Sequence, residues 1–455
     1  MSGALLAVPP LLKSLAGPLA GPAQLAGVAK EEGAHLHLVD LNAAWLRSFR
    51  LGHLVDGPSG DHARPQGGFH AASAAWKLLT TPPPALDDLS HEGVEAVARR
   101  IAYGPVGRAW AALLGGGRPE FVGVSVLWSG QVAGAVAVSL LVRERWPGVP
   151  VIWGGAHVTA LAPEIAADAR YGRHIDGFVS GYAEGTVREM LRGNALAAHG
   201  VFVAGNGRAA RAVEDSGVFP DFPRLHRYGV PRLTLPVQTG RGCAHARCTF
   251  CTYPAIEGAY RESDLAALDA VVNRAERLGA DVSIKDALVP APRLDEIAAH
   301  IRGRVRWSAC TRLVPRLGRE RLIRLVEAGL RTLELGVESV DPVVLESVDK
   351  RQPPRLVREW LADAAGLDLW LVLNTMSGFP GQTNAEIEAE HQQLRALLRR
   401  HPHTRVVLEH NRLQIERRSR LAARAAGLGL SLGPAAAWSS VLPQLDANVD
   451  VKEVA

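Results

Sequence analysis

Short apolar runs alternate with amphipathic stretches along this sequence, and that alternation restricts the chain to a small set of folds. Helical patterns at 23–32 and 132–146 separate the apolar runs of a first block. Those runs, each predicted to be a strand, lie at 4–8, 35–41, 121–127, 149–153 and 177–180. Apolar strands that alternate with helices form parallel sheets covered on both faces. Such sheets bind ligands outside the carboxyl ends of their strands.

A second block of the same kind begins at Val237. Its first helical pattern, 265–278, ends at Gly279, a common C-terminal signal. Further strands are predicted at 281–285, 305–309, 332–335, 369–374 and 406–410. Six βα repeats in about 180 residues are too few for a closed eight-stranded barrel, so we predict an open, partial (β/α)6 barrel.

The predicted organisation is therefore an α/β chain with two different domains. A Rossmann-like domain spans 1–195 and carries a partly helical insertion at about 42–120. A connector at 196–230 contains a hairpin signal around the GNG at 205–207. The partial barrel spans 231–412, and we expect the C-terminal region, 413–455, to contact substrate.

Composition excludes several other classes. Of the 455 residues, 47% are hydrophobic and 21% are charged, which is typical of globular rather than disordered chains. The net charge of +5 is spread without a basic, aromatic-rich run, so no nucleic-acid partner is expected. No apolar stretch is long enough to span a membrane, and Pro9, Pro10 and Lys13 interrupt the N-terminal run. We expect a cytoplasmic protein with no membrane partner.

Three of the four cysteines lie in one Gly-rich loop directly after the strand at 237–239. Cys243, Cys248 and Cys251 form a C-x4-C-x2-C pattern. Thiolates hold iron–sulfur clusters, normally four to a cubane, so three with no nearby fourth leave one iron open to another ligand. A zinc site completed by His245 and a chance group of core cysteines are the alternatives. Clustered thiols also favour a reduced compartment over a disulfide scaffold.

The second block resembles radical S-adenosylmethionine (SAM) enzymes over about 180 residues. Phe250 matches the aromatic position before the third cysteine, and ELGVES (334–339) resembles the segment that contacts SAM. The stretch NTMSGFPGQT (374–383) resembles a "GFPGET" signature. The resemblance implies a [4Fe–4S] cluster on the three cysteines and SAM beside it. The SAM contacts that it implies are Phe250, Glu334, Glu338, Ser339, Asn374 and Gly378.

Three features leave alternatives open. The usual loop is C-x3-C-x2-C, so the extra residue here must change how 244–247 lie over the cluster. Cys310, at the end of a predicted strand, is either a small core residue or a candidate residue beside the reacting centre. Glu334 and Glu338 are either SAM contacts or simply solvated or paired carboxylates.

The first block carries a second motif. Ser125-Val-Leu127, 26 further residues and Gly154-Gly155 form the S-x-L…G-G spacing of cobalamin-binding domains. A small polar residue and a Gly pair at adjacent strand ends leave room for a nucleotide tail. The predicted contacts are Ser125, Leu127, Trp128, Gly154, Gly155, His157, Gly181, Tyr182 and Glu184. The alternatives are a Rossmann-like domain without this ligand and, for Trp128 and Trp153, plain core packing.

The third element of that signature, D-x-H-x-x-G, is absent after the first strand, where the sequence reads PPLLKSLAGP. No histidine is therefore placed there to replace the base of the cobalamin. This resembles the class B radical SAM methylases, in which cobalamin is held base-off.

That resemblance implies a C-methyltransferase acting on an unactivated carbon of a peptide or small-molecule natural product. By resemblance, one SAM yields the 5′-deoxyadenosyl radical, methylcobalamin delivers the methyl group, and a second SAM remethylates cobalamin. An external low-potential electron donor is the implied partner. Two alternatives stay open: a non-methylating cyclisation or rearrangement with the same cofactors, and a non-catalytic corrinoid or iron–sulfur carrier.

Overall fold

A computed structural model describes residues 3–10, 17–48, 88–315 and 317–445. Residues 49–87 of the predicted insertion and the last ten residues of the predicted C-terminal region lie outside the described residues. The chain divides into two compact units, 1–233 with 436–440, and 234–435 with 441–455. Among the described residues, no helix has the length and apolar character needed to cross a bilayer.

Unit 1 is built on a parallel five-stranded sheet in the order β2-β1-β3-β4-β5. Its strands are β1 (Ala4–Val8), β2 (Leu36–Asp40), β3 (Val122–Ser125), β4 (Val151–Gly154) and β5 (Gly177–Phe178). Its helices are α1 (Ala20–Glu31), α2 (Leu41–Ser48), α3 (His91–Tyr103), α4 (Pro105–Leu114), α5 (Val132–Arg145), α6 (Ala156–Ala167) and α7 (Glu184–Arg192). All five predicted strands of this block are confirmed within a few residues.

The core of unit 1 lies between the sheet and its helices. Helix α5 is apolar nearly all round and almost wholly buried, as expected of a helix covered on several sides. Trp438 of the C-terminal segment belongs to this core. Its ring is 1% exposed and packs edge-on against Tyr171 at 4.5 Å between centroids. The backbone N–H of Trp438 donates to the Leu89 carbonyl at 2.9 Å.

Residues 196–233 are part of unit 1, and the hairpin predicted there is wrong. Phe202 forms an isolated antiparallel bridge with Phe178 of β5, and the two rings pack at 5.9 Å. The N–H of Ala212 donates to the Ser180 carbonyl at 2.7 Å. The two apolar stretches around GNG therefore pair with the end of the sheet instead of with each other.

Unit 2 is built on six parallel strands that neighbour one another in chain order, β6-β9-β10-β11-β12-β13. Its strands are β6 (Thr234–Val237), β7 (Gly240–Arg241), β8 (Arg261–Glu262), β9 (Asp281–Ile284), β10 (Trp307–Arg312), β11 (Leu330–Glu338), β12 (Trp370–Ser377) and β13 (Arg405–Arg412). Its helices are α8 (Tyr253–Glu257), α9 (Ala266–Leu278), α10 (Ala291–Ile301), α11 (Arg319–Glu327), α12 (Pro342–Ser347), α13 (Arg355–Asp363), α14 (Asn384–Arg399) and α15 (Arg420–Arg424). The predicted partial (β/α)6 barrel is confirmed.

Candidate cluster and cofactor sites

The three-cysteine loop of unit 2 leaves the carboxyl end of β6. Asp286 holds the start of the loop, because its carboxylate accepts from both the backbone N–H and the hydroxyl of Thr239 at 2.7 Å. The short antiparallel pair β7–β8 follows. Gly242 then takes φ +74°, and a Cβ there would lie 2.7 Å from the Ala259 carbonyl oxygen. The loop thus turns back sharply just before the first cysteine.

The three thiols are free and half-buried. Burial raises the pKa of the Cys248 thiol and raises that of Cys251 to about 12. Iron binds the thiolate form, so binding must release these protons. Free sulfur donors without a disulfide partner are the donor set that an iron–sulfur cluster requires.

His245, which lies inside the C-x4-C segment, is already engaged at both ring nitrogens. Nδ1 accepts from the Arg312 guanidinium, and Nε2 lies 3.1 Å from the carbonyl oxygen of Asp349. Among the described residues, no three His, Cys, Asp or Glu side chains converge to hold a single ion. In a cubane each thiolate binds a different iron, so convergence on one point is not needed. The donor set therefore fits a cluster better than the zinc alternative.

The extra residue of the loop is accommodated by cations from the rest of unit 2. Arg312 also donates to the carbonyl oxygens of Lys350 and Arg351, at 2.8 and 3.0 Å. Ala246 takes φ +46°, and Arg420 donates to the carbonyl oxygen of Arg247. Within the four residues between the first two cysteines, His245 and Arg247 thus contact Arg312 and Arg420, which come from other parts of unit 2.

The carboxylate of Glu338 forms an ion pair with Lys350, which is one of the alternatives that the sequence analysis left open. Lys350 Nζ lies 2.7 Å from Glu338 Oε1, and the two side chains are 8% and 13% exposed. Glu338 takes φ +64° at a register shift between β11 and β12. A non-glycine residue held in this region costs on the order of 1–3 kcal/mol and is found preferentially at functional sites. A Cβ at Gly336 would lie 2.7 Å from Glu338 Oε1, so the glycine leaves room for the pair.

Cys310 and Glu334 are direct neighbours on adjacent strands β10 and β11. Both lie on the face opposite the buried Leu333 and Leu335. Glu334 is exposed, while burial raises the pKa of the Cys310 thiol to about 12. Asn374 of β12 is half-buried on the same face as Glu334, opposite Gly336. The structure thus places three of the predicted residues on one face of the sheet, with Cys310 as a neutral thiol.

The GFPGQT segment forms a closed loop after β12. Gly378 takes φ +81°, and Gln382 Oε1 accepts from the N–H groups of Gly378 and Phe379 at 3.0 and 3.2 Å. Gln382 Nε2 donates to Glu390 at 3.1 Å, and Glu390 also accepts from the Ser339 hydroxyl. One network therefore joins the GVES and GFPG segments. Phe250 packs on the same loop, 6.1 Å from the Phe379 ring.

In unit 1, small residues line the carboxyl ends of β3, β4 and β5. Ser125 and Gly154 are direct strand partners, and Gly155 takes φ +104° with no room for a Cβ beside the Val126 carbonyl. Thr159 was missed by the sequence analysis. Its hydroxyl donates to the Gly155 carbonyl at 2.9 Å and accepts from the Gly181 N–H at 2.8 Å. Its position one helical turn after Gly155 was the available signal.

Gln131 is a second residue that the sequence analysis missed. Its side chain is 1% exposed, accepts from the Leu127 N–H and donates to the Pro9 carbonyl, both at 2.7 Å. It therefore joins the ends of β3 and β1, where the strand order of this sheet reverses. Ligands bind at such reversal points in open α/β sheets. Leu127, beside it, is 37% exposed, an apolar side chain open to a ligand.

Two of the predicted cobalamin contacts, His157 and Glu184, have buried side chains. His157 is 3% exposed, and its Nε2 lies 3.0 Å from the Trp438 carbonyl oxygen. Glu184 is also 3% exposed, with Oε2 3.5 Å from the Asp215 N–H. Segments distant in sequence cover both side chains, and their contact with cobalamin stays a prediction. Trp153 is likewise core, with Nε1 donating to Ser139, whereas Trp128 and Tyr182 are half-buried.

Comparisons with known proteins match one domain family in each unit. Residues 237–394 match the Radical SAM superfamily, and residues 109–191 match the B12 binding domain. An uncharacterized methyltransferase of Pyrococcus horikoshii is 25% identical over 60% of this chain, which spans 63% of that relative's length.

Two solved structures share the fold. One is the radical SAM methyltransferase TsrM of Kitasatospora setae with cobalamin and a [4Fe–4S] cluster bound (17% identity, TM-score 0.63, covering 96% of this chain and 81% of that one). The other is the cobalamin-dependent SAM radical enzyme OxsB with aqua-cobalamin and SAM (14% identity, TM-score 0.62, 98% and 64%). The chain therefore has the predicted domain order, a B12-binding domain followed by a Radical SAM domain, and shares the fold of two cobalamin-dependent radical SAM enzymes.

Proposed function

We propose that this chain is a cobalamin-dependent radical SAM C-methyltransferase acting on an unactivated carbon of a peptide or small-molecule natural product. The observation that carries the proposal is the three-thiol loop at the carboxyl end of β6. In the first unit, Ser125 and Gly154 end the adjacent strands β3 and β4, and Gly181 follows β5. TsrM, which was also solved with a tryptophan substrate and a SAM analogue, is named a methyltransferase. This supports methylation over the non-methylating cyclisation or rearrangement.

Cys243, Cys248 and Cys251 would hold the cluster, and Ser125, Gly154, Gly155, Thr159 and Gly181 would border cobalamin. When bound, the cluster supplies the electron that cleaves SAM, and cobalamin carries the methyl group. The chain itself binds, orients and shields the reactants. An external low-potential donor would supply the electron.

For SAM, the joined GVES and GFPG segments are the proposed cradle. Ser339 and Gln382 both bind Glu390, so the two segments keep one relative position. Glu334 and Asn374 remain on the open face of the sheet and are the proposed polar contacts. Glu338 acts through Lys350 in this proposal and is a positioning residue.

Cys310 is the proposed residue nearest the reacting atoms, since it lies beside Glu334 on the same face. With its pKa raised to about 12, the thiol stays protonated near neutral pH. A protonated thiol is a weak hydrogen-bond donor. Cys310 lies on strand β10, outside the loop that carries the three proposed cluster ligands. This leaves one iron open to SAM, as three-cysteine ligation requires.

The test is an anaerobic assay of the reconstituted protein with SAM, hydroxocobalamin and a low-potential reductant. We expect slow formation of both 5′-deoxyadenosine and S-adenosylhomocysteine, with 5′-deoxyadenosine lost in Cys251→Ser. S-adenosylhomocysteine alone would mean polar methyl transfer, and 5′-deoxyadenosine alone would favour the non-methylating alternative. Neither product, from protein with confirmed cluster and corrin, would contradict the proposal in favour of a carrier.

A further inference from the structure

A small cavity in unit 1, at the carboxyl end of the edge strand β2, has a charge pattern that the cofactors leave unexplained. Leu38, Ala43, Leu113 and Pro223 form its apolar walls, and its polar lining comes from Asp40, Arg224, Arg227 and Tyr228. In the order of the sheet, β1 lies between β2 and β3, the first of the strands whose carboxyl ends border the proposed cobalamin site. The carboxyl end of a strand in an open parallel sheet is a usual place for a ligand.

Asp40 has a structural role that accounts for its position. It directly precedes α2, and its Oδ1 accepts from the Ala43 N–H at 2.9 Å, as an N-cap residue does. Its Oδ2 accepts from the Tyr228 hydroxyl at 2.9 Å. Both oxygens are therefore satisfied without an arginine.

The two arginines have no such explanation. Arg224 Nη1 donates to His37 Nε2 at 2.6 Å, which requires a neutral imidazole. Burial, and then the charge of Arg224, lowers the pKa of His37 to about 4, in agreement. Among the described residues, neither Arg224 nor Arg227 forms an ion pair with a carboxylate, and each charge lies close enough to perturb its neighbours. Partly buried guanidinium groups usually have an anionic partner.

The backbone also holds Arg224 in place at a cost. Arg224 takes φ +58°, ψ +35°, the left-handed region that non-glycine residues seldom occupy. Such strain is found preferentially at ligand sites. Arg227, three residues on, also lines the cavity, and its charge acts on Arg224.

We propose that this cavity binds the phosphate group of a small-molecule ligand. Two guanidinium groups match the two negative charges that a phosphate monoester carries near neutral pH, and their planar forks bind phosphate oxygens bidentately. The apolar walls and the Tyr228 hydroxyl would border the rest of the ligand. This site is separate from the three cofactors of the proposed function.

The experiment titrates inorganic phosphate into the full chain at constant ionic strength, with acetate and chloride as comparison anions, and measures binding by calorimetry and the shift in Tm. We expect phosphate to bind more tightly than acetate. Arg227→Met should weaken that binding roughly 10- to 100-fold, the loss expected for charge-assisted hydrogen bonds. Arg208→Met, on an exposed loop of the same unit, is the control and should bind phosphate as the wild type does.

A second variant guards against a folding defect. Arg227→Lys keeps the charge but loses the fork, and we expect affinity between those of the wild type and Arg227→Met, with an unchanged Tm in chloride. Phosphate and acetate binding alike, no phosphate binding by the wild type, or equal affinity in Arg227→Met would each overturn the proposal. None of these outcomes depends on cluster or cobalamin content, so failure here is separable from failure of the proposed function.

Discussion

Lys350 and Glu338 form a buried ion pair at the end of β11, with Nζ 2.7 Å from Oε1. Lys350 follows α12 and Glu338 ends its strand in the left-handed region, so the pair fixes the segment that precedes the proposed SAM contact Ser339. The attraction of Glu338 raises the pKa of Lys350 despite its burial. Lys350 is therefore charged near neutral pH.

Removing one partner of this pair should be costly. Lys350→Met leaves a buried, uncompensated carboxylate, and we expect a loss of about 3–5 kcal/mol in the free energy of unfolding. The double variant Lys350→Met with Glu338→Gln should recover most of that loss. Denaturant unfolding of both variants measures the difference. Arg355→Met, which breaks an exposed pair with Glu359, is the control and should cost less than about 1 kcal/mol. Equal losses for Lys350→Met and Arg355→Met would contradict the assignment.

The three loop cysteines should be needed for iron binding, whereas Cys310 should not. Serine at 243, 248 or 251 is expected to reduce the iron bound after anaerobic reconstitution from about four per chain to near zero. Cys310→Ser should retain its iron, because Cys310 lies on strand β10 outside the loop. Iron and sulfide analysis with the visible spectrum checks this. Loss of iron in Cys310→Ser, or retention of iron in Cys248→Ser, would contradict the assignment of the three loop cysteines as the cluster ligands.

Gln382 marks the departure from the GFPGET signature, and the structure gives its reason. Its amide donates to Glu390 while its oxygen closes the loop, which a carboxylate cannot do. Gln382→Glu would set two carboxylates against each other, so we expect about 1–3 kcal/mol of destabilisation and weaker SAM binding. Adding Glu390→Gln should restore much of both, as measured by Tm and calorimetry. A harmless Gln382→Glu, or no rescue, would show that the network does not hold the loop.

Thr159 should matter for cobalamin through its hydroxyl. Thr159→Val keeps the shape but loses the bonds to Gly155 and Gly181, and we expect roughly 10-fold weaker retention of cobalamin. Thr159→Ser keeps the hydroxyl and serves as the control. Equilibrium dialysis against hydroxocobalamin measures both, and equal affinities would remove Thr159 from the site.

Asp286 should make stability depend on pH. Burial raises the pKa of this carboxyl, which is 5% exposed, to about 6. Between about pH 4 and 6 the folded chain then keeps a proton that the unfolded chain has lost, so the free energy of unfolding falls as pH rises, by about 3 kcal/mol at most. Asp286→Asn should remove this slope from the Tm-against-pH profile, whereas the exposed Asp264→Asn should not. A slope unchanged in Asp286→Asn would contradict the assignment.

The strands and the barrel could be predicted because each buried parallel strand corresponds to a short apolar run in the sequence. Side-chain direction could not, because it depends on contacts distant in sequence. His157 turns to Trp438, which lies 281 residues away, and Glu184 is covered by the backbone near Asp215. The hairpin predicted around GNG was wrong for the same reason, because Phe202 forms its bridge with Phe178 of β5. Lys350 carried no motif, so its place near the cysteine loop emerged only from the fold.

The most direct test of the account is the cofactor content of one preparation of the wild-type chain. After anaerobic reconstitution and gel filtration, we predict about four iron atoms per chain together with an equimolar amount of cobalamin. Cys251→Ser should lose the iron and keep the cobalamin, since the two sites belong to different units. Zinc in place of iron, or cobalamin that washes out of the wild type during filtration, would contradict the central claim.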